Sequence, residues 1–379
     1  MDRDSAASTV AAATYSVALG TGSVALPLLA LRAGYSATEV GILTAASAVG
    51  QIVSRFGLGA LMRRVPDWYL VAASGVVLVI SSGVVVGSAA WVPFLLAQVL
   101  QGASRALFWT GAQTHVMRGN RPAASRLAVF NLAAGAGFLG GPLLAGVLSE
   151  ETPELAMGVA AGVAAVGILP TFLLDRLPPF AQPQDRPRGR LWRRPDVNLG
   201  CWAAVTSAGW YGVLTSYVPV VLDEAGHSAS AIGVLVTLSH TAALVGVGAS
   251  GRIPTRVAVP VLLAGIVLTG TSTAMTGVAA SSALLSGVLL AIAGGFAGML
   301  QVLGLAVATQ SVDSEERGDV VNLSGVFRSV ALFSVPLGTA GLVLLVPLVP
   351  ALAAVGVALS LPAVMVGVRR RSDPPPSER

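Results

Sequence analysis

The chain has no lysine, three histidines and a single cysteine, Cys201, and only 11% of its 379 residues are charged. A lone cysteine excludes an intrachain disulfide and a cysteine metal cluster. So few charges, beside 54% hydrophobic residues and 44 glycines spread through apolar runs, exclude a soluble globular composition. Charge is missing in long blocks: Ser5–Leu31, Trp68–Ser104 and everything between Arg256 and Asp313. Each block exceeds the ~20 apolar residues that cross a bilayer. No cofactor and no resident metal is expected.

What remains between the charged or Pro-rich breaks reads as twelve membrane helices, roughly 8–31, 37–61, 68–89, 91–116, 126–148, 155–174, 198–221, 230–250, 257–279, 282–310, 320–345 and 347–368. The opening "MDRDSAAS" is too acidic for the n-region of a signal peptide, so the first helix is expected to be retained. With the first residue inside, almost every arginine falls on the cytoplasmic side, Arg63, Arg64, Arg118, Arg121 and Arg126 among them; Arg32 alone falls outside. This positive-inside asymmetry predicts a multi-pass protein of a bacterial plasma membrane with both termini in the cytoplasm. The basic balance then reports topology, and no nucleic-acid partner is expected.

One segment interrupts the pattern. Asp175 to Asn198, "DRLPPFAQPQDRPRGRLWRRPDVN", carries five prolines and six arginines and reads as a linker. It divides the chain into a first six-helix bundle, 1–174, a cytoplasmic linker, 175–198, and a second six-helix bundle with a short basic tail, 199–379. The halves are related. "GYSATEVGIL" (Gly34–Leu43) returns as "GHSASAIGVL" (Gly226–Leu235), and "GPLLAG" (Gly141–Gly146) is answered by "VPLGTAG" (Val335–Gly341). Six crossings separate the copies, so the repeat is parallel, about an axis along the membrane normal. Ser36 and Glu39 form a capping box; Ser228 keeps the cap, and Ala231 stands where the first copy has its carboxylate.

These features resemble the major facilitator superfamily over essentially the whole chain. The resemblance implies an all-α membrane fold of twelve transmembrane helices in two pseudo-symmetric bundles, and alternating-access transport. Gly137-Phe138-Leu139-Gly140-Gly141-Pro142-Leu143-Leu144-Ala145-Gly146 is similar to the GxxxGPxxGG motif of the family's drug and metabolite antiporters, with Ala145 where the family has Gly. Physically, Gly137 and Gly141 allow close helix approach, and Pro142 removes a helix hydrogen bond. Gly59 to Asp67 aligns with the GxLaDRxGRR loop less well: Arg63 replaces an Asp, Pro66 a Gly and Asp67 an Arg, so Arg63, Arg64 and Asp67 form either a charge-swapped latch or a decayed motif. In helix four, Gln98 holds the place of the RxxQG arginine, and Arg105 follows two turns later.

An arginine deep in a membrane needs water, a partner or a ligand. Arg105 lies roughly 16 Å and Arg328 roughly 12 Å from the inner ends of their helices. All 18 carboxylates fall in tails, loops or helix ends, so none is left at the bilayer centre for the usual proton carrier, and His240 is the remaining coupling candidate. The resemblance places helices one, four, seven and ten around the cavity; their polar and aromatic members are Tyr15, Gln98, Gln101, Arg105, Trp109, Trp210, Tyr211, Tyr217 and Gln301, with Arg105 and Trp109 on one helix face. Such a lining suits a small amphipathic organic solute, an anion included.

The expectation is a monomeric secondary transporter whose partners are a small-molecule substrate and membrane lipid, with export favoured by the fifth-helix motif. The alternatives are an importer or facilitator of a small anionic metabolite and, from another class, a membrane-embedded lipid-modifying enzyme. The latter lacks the clustered acids and histidines its chemistry needs.

Overall fold

Local capping chemistry sets the helix boundaries, and it does so twice in the same way. In a computed structural model that describes residues 3–62, 64–118, 123–179, 191–313 and 316–372, Gly34 and Gly226 both adopt φ +86°. Each ends a helix in a Schellman motif. Tyr35 N donates to Ala30 O and Gly34 N to Leu31 O; His227 N donates to Leu222 O and Gly226 N to Asp223 O. Only glycine takes this left-handed conformation without strain, which explains why both copies begin with it. The capping box then starts the next helix: Ser36 N donates to Glu39 Oε2 at 2.7 Å, and Glu39 N to Ser36 Oγ at 3.3 Å. In the second copy Ala231 N donates to Ser228 Oγ at 3.3 Å, and the missing carboxylate comes from another helix, with Ser230 N donating to Glu150 Oε1 at 2.8 Å.

The helices are α1 (Arg3–Arg32), α2 (Ala37–Met62), α3 (Asp67–Gly87), α4 (Trp91–Met117), α5 (Ala123–Glu151), α6 (Pro153–Ile168), α7 (Pro195–Leu214), α8 (Tyr217–Glu224), α9 (Ala229–Ser250), α10 (Thr255–Thr276), α11 (Ala283–Gln310), α12 (Arg317–Val343) and α13 (Leu348–Ser372). The described residues form no strand. Twelve crossings were expected and thirteen α-helices are present among the described residues, because the seventh crossing breaks at Thr215 and Ser216 into α7 and α8. Ten described helices are long and apolar enough to span a bilayer by composition. The crossings that fall short are α4 and the interrupted α7–α8; α4 carries Gln98, Gln101, Arg105, Gln113 and His115. Polarity is concentrated in two of the helices that the resemblance assigns to a cavity.

Two compact units emerge, Met1–Gln184 with Thr215–Thr237, and Asp185–Leu214 with Leu238–Arg379. In the first, α1 is buried along most of its length and packs on α5 and α6, while α4 packs on α2 and α3. Its core gathers Tyr15, Phe108 and Phe130. In the second, α7 takes the place of α1, packing on α11 and α12, while α10 packs on α11 and α13 around Leu199, Leu262, Ile266 and Leu300.

Glycine seams reproduce the repeat at atomic contact. A Cβ on Gly102 would lie 2.7 Å from Ser47 C; one on Gly298 would lie 2.7 Å from Ala243 C. A Cβ on Gly50 would meet Val99 C at 2.9 Å, and one on Gly246 would meet Gly295 C at 2.8 Å. All four pairs share one sequence offset between the halves. Likewise Gly20 faces Pro142, and Gly212 faces Pro336, each at 3.2 Å from a virtual Cβ. In lipid, where apolar burial does not hold helices together, such backbone-to-backbone approach supplies the packing.

Candidate functional site

The recess around Arg105 is made by one polar turn of α4 set against glycine. A Cβ on Gly22 of α1 would lie 3.2 Å from Gln101 Nε2, so the bare α1 backbone gives the amide room. Arg105, one turn further along α4, donates from Nη2 to Gln101 Oε1 at 3.1 Å. Gln98 and Gln101 are buried, and both line a small open recess together with Arg105. Its other walls are Ser23, Leu26 and Pro27 of α1, Leu43, Thr44 and Ser47 of α2, Phe94 of α4, and Thr215 from the break before α8. A break in a membrane helix is tolerated where the freed backbone lines a polar cavity, which accounts for its position here.

The structure separates Trp109 from this group. Although four residues from Arg105, it packs against Phe130 edge-on at 6.0 Å and against Phe138 at 6.4 Å, in the core between α4 and α5. Tyr15 is also a core residue: its ring stacks on Phe108 at 3.8 Å. Its hydroxyl donates to Ser104 Oγ at 2.8 Å, and Ser104 in turn donates to Ser74 O. Neither lines the Arg105 recess. In the second unit Trp210, Tyr211 and His240 converge, with Trp210 6.5 Å and Tyr211 6.1 Å from His240 between ring centroids. The Trp210 Nε1 donor is buried without an acceptor among the described residues. Gln301 stands at an exposed position of α11, and Arg328 is half-buried on α12.

The fifth-helix motif forms a seam. A Cβ on Gly137 would lie 2.7 Å from Ser16 Cβ, and one on Gly141 2.6 Å from both Thr21 N and Val17 O, so α5 and α1 meet backbone to backbone. Thr21 Oγ1 adds a 3.3 Å bond to Gly141 O across it. Gly146 turns to α9, where its virtual Cβ would be 2.9 Å from Ala229 O. Nearby, Arg32 donates to Ser149 O at 3.0 Å and to Glu151 O at 3.2 Å, satisfying carbonyls at the end of α5.

A charged cluster that sequence reading dispersed among loops and tails is instead assembled and buried. Asp4 was expected in the N-terminal tail; it sits in the first turn of α1, because that helix begins at Arg3. His115 Nε2 lies 2.8 Å from Asp4 Oδ1, and its Nδ1 lies 3.0 Å from Asp67 Oδ1. With a carboxylate oxygen at each nitrogen, both ring N–H groups donate and the ring is held as imidazolium. Arg126 donates to Asp4 Oδ2, Arg118 to Asp67 Oδ2 at 3.2 Å, and Asp175 N to Asp4 Oδ1 at 2.9 Å. The start of α1, the start of α3, the end of α4, the start of α5 and the segment after α6 are thereby tied together. In the second unit Arg194 and Glu316 pair at 2.6 and 3.0 Å just before α7 and α12, the counterparts of α1 and α5, with the charges exchanged. Asp67 thus has partners on α4. Of the remaining loop residues, Gly59 ends up within α2, Arg64 is exposed, and Arg63 lies outside the described residues.

The family model described as Major Facilitator Superfamily matches residues 8–336. No curated protein matches the sequence. Among solved structures, a bacterial homolog of the human lysosomal transporter Spinster, inward-facing and occupied, aligns with TM-score 0.78 at 14% identity, over 97% of this chain and 96% of that one. A point mutant of the nucleoside transporter NupG aligns at 0.81 and 10% identity, over 97% and 99%. A POT family transporter in complex with a thioalcohol-conjugated peptide aligns at 0.77 and 10%, over 98% and 96%. At these identities the structures speak for the fold; the family model covers well over half of the sequence, and on that ground the chain belongs to the Major Facilitator Superfamily.

Proposed function

We propose that this chain is a secondary transporter that moves a small amphipathic organic solute across the plasma membrane by alternating access, in the direction of export. The observation that carries the reading is the recess in which Arg105, Gln101 and Gln98 face apolar walls from α1, α2 and α4. A few convergent polar groups on an apolar lining are what a small-molecule site requires. The working halves are 1–174 and 199–379, joined by the 175–198 linker, with both termini cytoplasmic; the arginine asymmetry supports this topology. Export rests on the resemblance of Gly137–Gly146 to the antiporter motif.

One observation favours the rival direction, facilitated entry of a small anionic metabolite: the recess contains a guanidinium and no carboxylate to carry a proton. Inside-out vesicles separate the two. An imposed pH gradient drives solute accumulation if export is proton-coupled; transport indifferent to the gradient and abolished by Arg105→Ala overturns the proton-driven exporter and leaves the facilitator.

A further inference from the structure

Arg105 is the charged group of the recess, and nothing there balances it. Its one hydrogen bond among the described residues goes to the neutral Gln101 Oε1. Its Nε is shut off from solvent with no acceptor. No carboxylate lines the recess. Arg118 and Arg126 of the same unit are built differently, since each meets an aspartate. Arg105 has no such partner in its recess.

The other polar groups of the recess are neutral amides and hydroxyls. Gln101 spends its oxygen on Arg105 and keeps its amide nitrogen toward Gly22. Gln98 is buried beside them, and Ser47 Oγ is buried without a partner among the described residues. A guanidinium in a membrane bundle is costly until a counter-charge arrives, and a carboxylate, sulfonate or phosphate supplies acceptor oxygens only. Leu26, Leu43 and Phe94 add apolar lining to the same recess.

We propose that the recess binds a small amphipathic organic anion, its oxyanion head on Arg105 beside Gln98 and Gln101 and its apolar body against Leu26, Leu43 and Phe94. The proposal rests on the transporter reading only for its statement that this anion is the cargo. Binding itself is tested on the purified full-length protein in detergent, by thermal unfolding with benzoate, benzenesulfonate, phenyl phosphate, neutral benzamide and cationic benzylammonium. At tenfold excess over Kd, at least one of the three anions is expected to raise Tm by about 2 °C or more, and the neutral and cationic probes to leave it unchanged. Which anion does so identifies the head group. Arg105→Gln removes the anion shift and, by deleting an uncompensated charge, raises the Tm of the unliganded protein; Arg105→Lys keeps part of the shift. An equal shift with benzamide, no shift with any of the three anions, or a fall in unliganded Tm on Arg105→Gln overturns the proposal. Counterflow in proteoliposomes keeps the two readings apart. An anion that binds but shows no counterflow removes transport and leaves the site; counterflow of a neutral or cationic solute without anion binding removes the site and leaves transport.

Discussion

A single methyl group added at Gly102 or at Gly298 tests both the helix seams and the internal repeat. In each case the new Cβ would fall 2.7 Å from a carbonyl carbon of the facing helix, Ser47 C or Ala243 C, where ordinary contact begins near 3.4 Å. The atoms in the way are main chain, so no rotamer change relieves the clash, and the two helices must part. Parting is not local: Gly50 crosses Val99 one turn along the first seam, and Gly246 crosses Gly295 in the second. Overpacking of this kind costs about 1–3 kcal/mol and more where backbone opposes it. Helix propensity works the other way, favouring Ala over Gly by about 1 kcal/mol at most. The steric term wins, and both variants should lose about 2 kcal/mol by equal amounts. Gly83 in α3 and Gly158 in α6 provide the control: each is within a helix with nothing inside 4 Å of a virtual Cβ. Alanine at either position should stabilise by about 0.5–1 kcal/mol. Thermal unfolding of the four purified variants reads the sign directly. Gly102→Ala and Gly298→Ala unfolding at or above the wild-type temperature would refute the seam geometry, and a loss at one but not the other would refute the equivalence of the halves.

Asp67→Asn should destabilise by about 3–5 kcal/mol, because it strips a carboxylate from a buried cluster and leaves His115 and Arg118 facing a neutral amide; an unchanged unfolding temperature would show that the cluster contributes nothing. Glu150→Gln should speed hydrogen exchange at the first turn of α9, where Ser230 N loses its charged acceptor, and exchange at Ser230 unchanged from wild type would count against that cap. Trp210→Phe removes a buried N–H that has no acceptor, so stability should hold or rise; a loss above about 2 kcal/mol, measured by the same unfolding assay, would mean that the indole nitrogen is satisfied in the folded protein.

Much of the architecture was legible in residues such as Gly34 and Gly226. Their repeated "GYS" and "GHS" contexts specify a helix stop and a helix start through bonds spanning at most five residues, and the structure reproduces both. Arg105, Gln101 and Gln98 were legible as a group for the same reason, since two successive turns of one helix place them together. Trp109 was not, although it obeys the same spacing: four residues do not make a whole number of turns, and that rotation carries the indole toward Phe130 and Phe138, away from the recess. His115 gave no signal at all. Its partners lie 111 and 48 residues away in sequence, and neither carboxylate stood inside an expected helix.

The sequence by itself determined the membrane class, the helix order, the parallel repeat and the caps, because apolar run length and local hydrogen bonding act within a few turns of chain. Only the tertiary structure decided which faces of those helices meet. Glycine seams fix the rotation of α4 against α1 and α2, and that rotation leaves Arg105 in a recess without a counter-charge. The same kind of long-range packing brings Asp4 and Asp67 onto His115, and Glu150 onto the start of α9, where the repeat had dropped its own carboxylate.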